Sequence, residues 1–153
     1  MPTLKLMTHI KAPPISCFEL SRSIDMHLHS MKSSHEKVIA GRTNGAMMTG
    51  ETVTWNARHF GFNWTMTVKM GRMEIPHFFE DYMVKGPFKS MRHQHYFESM
   101  GNGTNMIDIF HYESPLGLLG KLIDRIVLKR YMNKLLTIRN AEIKLMAEQC
   151  LVK

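Results

Sequence analysis

Cysteine is nearly missing from this chain: Cys17 and Cys150 are the only two in 153 residues, and they sit near opposite ends. Neither belongs to a Cys-x-x-Cys pair or a zinc-type spacing, so a disulfide scaffold and a cysteine-based zinc module are excluded. Both thiols are read as buried or idle. Long apolar runs are missing too, since none approaches the roughly 18 residues a membrane-spanning helix needs. The opening Met1-Pro2-Thr3-Leu4-Lys5 alternates at once and carries no apolar signal core, so a cytoplasmic location is expected. There is no Gly-x-Ser-x-Gly nucleophile motif. Gly101-Asn102-Gly103-Thr104 lies between strands rather than before a helix, so it reads as a hairpin and not a phosphate loop.

Acidic residues are the scarcer charge, 13 against 20 Lys and Arg, which leaves a formal net charge of +7. Such a balance invites a nucleic-acid or anionic-surface partner. The basic residues are spread along the chain, however, and densest at Lys121, Arg125, Lys129, Arg130 and Lys134. No helix-turn-helix, zinc-finger, KH or RNP-type motif accompanies them, so no nucleic-acid partner is expected. A basic stripe on a long helix is usually a solvated face; docking to an acidic partner or membrane is the alternative. The 15 methionines are the compositional excess. Their flexible thioethers suit irregular cores and adaptable binding surfaces, although biased residue usage gives the same count.

The patterning predicts an α+β chain organised as one domain over residues 1–153. Residues 3–12 alternate as a strand, and Pro13-Pro14 opens a short helix carrying Ile15, Phe18 and Leu20. Ser23 or Asp25 caps a second short helix, and residues 37–42 form another strand before the Thr43-Asn44-Gly45 turn. From Glu51 the period is two through residues 53–59 and 62–70, then again from Pro76 to Lys85 and from Phe88 to Met100. Gly101-Asn102-Gly103 predicts a hairpin into residues 104–113. Residues 118–146 then carry apolar side chains at helical spacing, among them Leu119, Leu122, Ile126, Val127, Tyr131, Leu135 and Ile138. This is an amphipathic helix of about 30 residues, on the order of 45 Å long.

Several stretches carry a closer likeness. They are Ile10-Lys11-Ala12-Pro13-Pro14-Ile15, Gly86-Pro87-Phe88, Arg92-His93-Gln94-His95-Tyr96-Phe97, Gly103-Thr104 to Asp108, Tyr112-Glu113-Ser114-Pro115-Leu116-Gly117 and Arg130-Tyr131. In this order they resemble the SRPBCC (START/Bet v 1-like) superfamily, specifically bacterial ligand-binding or cyclase/dehydrase-like domains, over nearly the whole chain. The resemblance implies a helix-grip fold: a curved antiparallel sheet of about seven strands around a long C-terminal helix, with a cavity between them. It implies no settled reaction, since the superfamily holds lipid carriers, hormone receptors and aromatic cyclases.

Extending the alternation predicts the inner face. Trp55, His59, Trp64 and Met66 point inward, as do Phe79, Asp81 and Met83, then His93, His95 and Phe97, then Asp108, Phe110 and Tyr112. With Leu122 and Ile126 from the helix, these are the predicted ligand-contacting residues. Apolar walls with sparse convergent polar groups describe a small-molecule site. The expected partner is a hydrophobic small molecule, with at most a weak dimer. Three roles stay open for His93, His95 and Asp108: a structural hydrogen-bond network, ligand orientation, or acid–base catalysis by a cyclase/dehydratase-like enzyme on a polyketide or aromatic substrate. His93-x-His95 on a strand puts both imidazoles on one face, a metal-ligand geometry that Asp108 or His59 could complete. Two ligands at that spacing are a weak signal, and the sequence assigns neither a metal nor a cofactor. His27 and His29 repeat the spacing on a predicted helix, where they diverge to different sides.

Overall fold

The computed structural model describes residues 2–114 and 127–150. Strand β1 (Thr3–Ile10) leads into α1 (Pro14–Ser21) and α2 (Ile24–Ser30). A single 3-10 turn, Lys32–Ser34, precedes β2 (Lys37–Gly41). The strands β3 (Thr52–His59), β4 (Phe62–Glu74), β5 (Phe78–Lys85), β6 (Ser90–Met100) and β7 (Gly103–Glu113) follow. The last described element is the helix α3 (Lys129–Gln149). The expected Pro115-Leu116-Gly117 break, the start of the long helix, Leu122 and Ile126, and the basic residues Lys121 and Arg125 lie outside the described residues.

The local chemistry explains the element boundaries. Pro14 sits in the first turn of α1, where its missing N–H costs nothing. Ser23 caps α2 by accepting from the Met26 amide at 3.2 Å. Asp25, the other candidate cap, lies in the first turn of α2 and accepts from the Gly45 amide at 2.8 Å, tying the helix to the loop after β2. The β3–β4 hairpin turns on Phe60 and Gly61, both at positive φ, as a two-residue turn with right-handed strand twist requires. Pro76 does not open β5 as expected. It follows Ile75 through a cis peptide in the β4–β5 turn, and the strand begins at Phe78.

All seven strands form one antiparallel sheet in the order β1-β7-β6-β5-β4-β3-β2. Register shifts along β4 against β5, at Thr67/Val68 and Met70/Met73, are bulges that bend the sheet. The sheet curves around the C-terminal helix, which rests on β1, α1 and α2. This is the α+β arrangement that the patterning predicts and the helix-grip fold that the resemblance implies.

The alternation holds on the inner face. Val53, Trp55 and Ala57 of β3 are buried, as are Val68 and Met70 of β4 and Met91, His93, His95 and Phe97 of β6. The expected stripe holds in part: Val127, just before α3, and Tyr131 and Leu135 on it line the space between helix and sheet, while the fully buried side of α3 is Leu136, Arg139, Asn140, Ile143 and Ala147 and Ile138 is half-buried. Lys129, Arg130 and Lys134 are exposed, as a solvated face requires. Cys17 is buried and Cys150 exposed, and both are free thiols.

Candidate functional site

Between the concave sheet and α3 lies a cavity of about 570 Å³. Its walls are mainly apolar: Val53, Trp55, Ala57, Met66, Val68, Met70, Phe79, Phe88 and Met91 from the strands, and Leu128, Met132, Leu135 and Leu136 from the helix side. The helix grips the sheet at its C-terminal half, where Ile143 and Ala147 are fully buried. Its first turns stand over the space instead.

Besides the His27–Glu36 pair, two polar clusters reach this wall. At one rim His59 Nδ1 and the Tyr131 hydroxyl are 2.7 Å apart, and Phe60 packs on the Tyr131 ring at 4.4 Å. These contacts clip the β3–β4 hairpin to α3. Burial lowers the His59 pKa, a shift that Glu36 partly offsets.

The second cluster is deeper and is built by strand register. Asp81 on β5 lies opposite His93 on β6, and His95 lies opposite both Phe79 on β5 and Asp108 on β7. Two neighbouring inner-face rows, Asp81-His93-Phe110 and Phe79-His95-Asp108, therefore bring a carboxylate, two imidazoles and a second carboxylate together across three adjacent strands. Asp108 is fully buried at the back of this cluster. Its Oδ2 accepts from Asn140 Nδ2 at 2.6 Å, and its Oδ1 accepts from His93 Nε2 at 3.0 Å and from Arg139 Nη1 at 3.5 Å. His95 Nδ1 lies 2.8 Å from the same Oδ1, but off the line of a hydrogen bond. The other His95 nitrogen, Nε2, meets Asp81 Oδ2 at 3.2 Å. Arg139 also donates to the Ser21 carbonyl at 2.9 Å, and Phe79 stacks on the His95 ring at 4.2 Å.

Burial would raise the Asp108 pKa, but the contacts from His93 and His95 hold it well below the ordinary carboxylate range. The Asp81 carboxyl is lowered as well, because contact with His95 and the nearby His93, His95 and Arg139 outweigh its burial. His93 goes the other way: burial, with the neighbouring His95, pushes it down to about 4. His93 is therefore neutral at pH 7. An ionised carboxylate only accepts, so the His93 proton sits on Nε2 and its Nδ1 carries a lone pair.

Of the sequence-predicted site residues, Trp55, His59, Trp64, Met66, Phe79, Asp81, His93 and His95 line the cavity. Trp64 is a correction in depth: 41% of it is exposed, and its Nε1 donates to the His59 carbonyl at 3.1 Å. Met83, Phe97, Asp108, Phe110 and Tyr112 lie off the cavity wall. Phe97 packs instead against Phe18 of α1, whose ring meets Phe79 and Phe97 edge-on at 5.5 Å each. Sequence reading missed His27, which stacks on Trp55 at 4.3 Å beside the Glu36 carboxylate and lines the cavity. Tyr131, Met132 and Arg139 were missed as well. No periodicity marks a buried arginine; its partner Asp108 is distant in sequence.

No protein-family model and no curated protein matches the chain. Solved structures do, by fold. The aromatase/cyclase Zhui from Streptomyces sp. R1128 superposes with a TM-score of 0.78 at 9% identity, covering 98% of this chain and 95% of that one. A protein from Thermus thermophilus gives 0.72 at 18% identity, over 93% and 97%. Major latex-like protein 151 from Panax ginseng gives 0.69 at 14% identity, over 95% and 97%. At these identities the likeness is one of fold: the chain has the Bet v 1-like helix-grip architecture. Among the described residues, no helix is long and apolar enough to cross a membrane.

Proposed function

We propose that this protein binds a small, largely apolar molecule with one polar end, held between the sheet and α3. The observation that carries this reading is the cavity of about 570 Å³, apolar except for polar groups gathered at separate points. That volume is within the range of small-molecule sites, roughly 300–1,000 Å³. Trp55, Met66 and Phe79 supply apolar contact, and the polar end meets Asp81, His93 and His95 or the His59–Tyr131 pair. Asp108, off the wall, orients the imidazoles.

The test uses anilinonaphthalene sulfonate, a fluorescent apolar probe, together with native mass spectrometry of organic extracts. The wild type binds the probe saturably, and Val68→Trp, which fills the wall, removes most of that binding at unchanged circular dichroism. Probe binding indifferent to the filled wall would refute the reading.

A second reading is a cyclase/dehydratase-like enzyme acting on a polyketide or aromatic substrate. It is favoured by the neutral His93 and the ionised Asp81 at the cavity wall, which can accept protons, and by the fold likeness to an aromatase/cyclase. Turnover of a screened polyketide that survives both His93→Gln and Asp81→Asn removes this reading.

A further inference from the structure

We infer that Asp81, His93 and His95 form a binding site for one divalent transition-metal ion, such as zinc, cobalt or iron(II). One ligand atom from each of the three lies within 4.8 Å of the other two. His95 Nε2 and Asp81 Oδ2 are 3.2 Å apart. Two ligand atoms, each about 2.1 Å from a shared ion, are about 3.0 Å apart at a right angle and about 3.4 Å at the tetrahedral angle. The observed edge falls between these values. His93 closes the triangle by a side-chain adjustment.

The surroundings favour a cation independently of that spacing. Each ring nitrogen of His95 faces a carboxylate oxygen, Nδ1 at 2.8 Å from Asp108 and Nε2 at 3.2 Å from Asp81. If the ring holds a single proton, the other nitrogen's lone pair lies beside a carboxylate oxygen. That contact is repulsive until a second proton or a metal ion enters. His93 presents a lone pair at Nδ1, because its Nε2 proton is committed to Asp108.

One carboxylate, Asp108, thus backs both imidazoles, and Asn140 and Arg139 in turn hold it. A carboxylate behind each ligating histidine is the usual outer shell of a metal site. Two imidazoles and one carboxylate suit borderline divalent metals rather than calcium or magnesium. The remaining coordination positions face the cavity, where water or an organic ligand completes them. This site does not depend on the apolar-ligand reading, since metal binding is measured with no organic molecule present.

The test titrates the full-length, chelator-stripped protein with Co²⁺, read by ligand-field absorption, and with Zn²⁺ by calorimetry. One equivalent of each binds. Asp81→Asn and His95→Gln each weaken binding by at least about 100-fold, and Asp108→Asn by about 10- to 100-fold, the range for a lost outer-shell partner. Asp81 is the least buried member of the cluster, so Asp81→Asn decides the question even if the other variants fail to fold. Absence of saturable binding would mean that a proton alone occupies the site, and would overturn the proposal. Binding equally tight in Asp81→Asn would assign the metal to surface histidines such as His9 or His77, and would overturn it too.

Discussion

The buried imidazole of His93 predicts a specific dependence of stability on pH. Folding lowers its pKa from the 6.5 of a free histidine to about 4. As pH falls below 6.5 the unfolded chain takes up this proton and the folded chain does not. The stability contributed is therefore complete above pH 6.5 and is lost as pH falls towards 4. At 1.36 kcal/mol per tenfold difference in proton affinity, the gap amounts to about 3 kcal/mol, most of it developed by pH 4.5. For a chain of this size that is a fall in Tm of roughly 6–12 °C. Urea denaturation of wild type and His93→Gln at pH 7 and pH 4.5 isolates the effect, because glutamine cannot titrate. His59, whose pKa is also lowered, acts in the same direction but is common to both proteins. The wild type should lose about 2–3 kcal/mol more than the variant between the two pH values. Equal losses, or a wild type that gains stability towards pH 4.5, would refute the burial argument.

Three further outcomes follow from the packing. Asp108→Asn leaves the Arg139 guanidinium buried without its carboxylate and should destabilise by about 3–5 kcal/mol at an unchanged urea m-value; a loss under about 1 kcal/mol would show that Ser21 and Asn140 suffice for Arg139. Gly41 has φ +80°, and a Cβ there would come within 2.2 Å of the Thr52 carbonyl oxygen, whereas Gly50, at φ +86°, has nothing within 4 Å. Gly41→Ala should therefore cost clearly more than the roughly 1 kcal/mol of left-handed strain expected for Gly50→Ala, and equal melting shifts would contradict the close approach. Ser23→Ala removes the α2 cap and should cost about 1 kcal/mol by chemical denaturation, with no change if the Met26 amide finds another acceptor.

Much of the fold was legible because it is encoded locally. A two-residue period puts Val53, Trp55, Ala57 and His59 on one face whatever their partners are, and proline, glycine and serine mark element ends through their own backbone preferences. The same parity turned His93 and His95 inward together, so the centre of the candidate site could be read from the alternation alone. Local pattern fails where burial depends on a distant partner. Arg139 and Asn140 read as part of a polar helix surface, yet both lie on the buried side of α3. Burying them is favourable only because Asp108, 31 and 32 residues earlier, presents a carboxylate to both.

The amino-acid sequence by itself determined the strands, the turns and which side chains share a face, since these follow from covalent geometry and spacing. Only the tertiary structure decided the rest: that β5, β6 and β7 bring Asp81, His93, His95 and Asp108 together, that Phe97 packs against Phe18 off the cavity wall, and that Trp64 is partly exposed. Those outcomes rest on strand register and on the seating of one element against another, both settled by contacts between residues far apart in the chain.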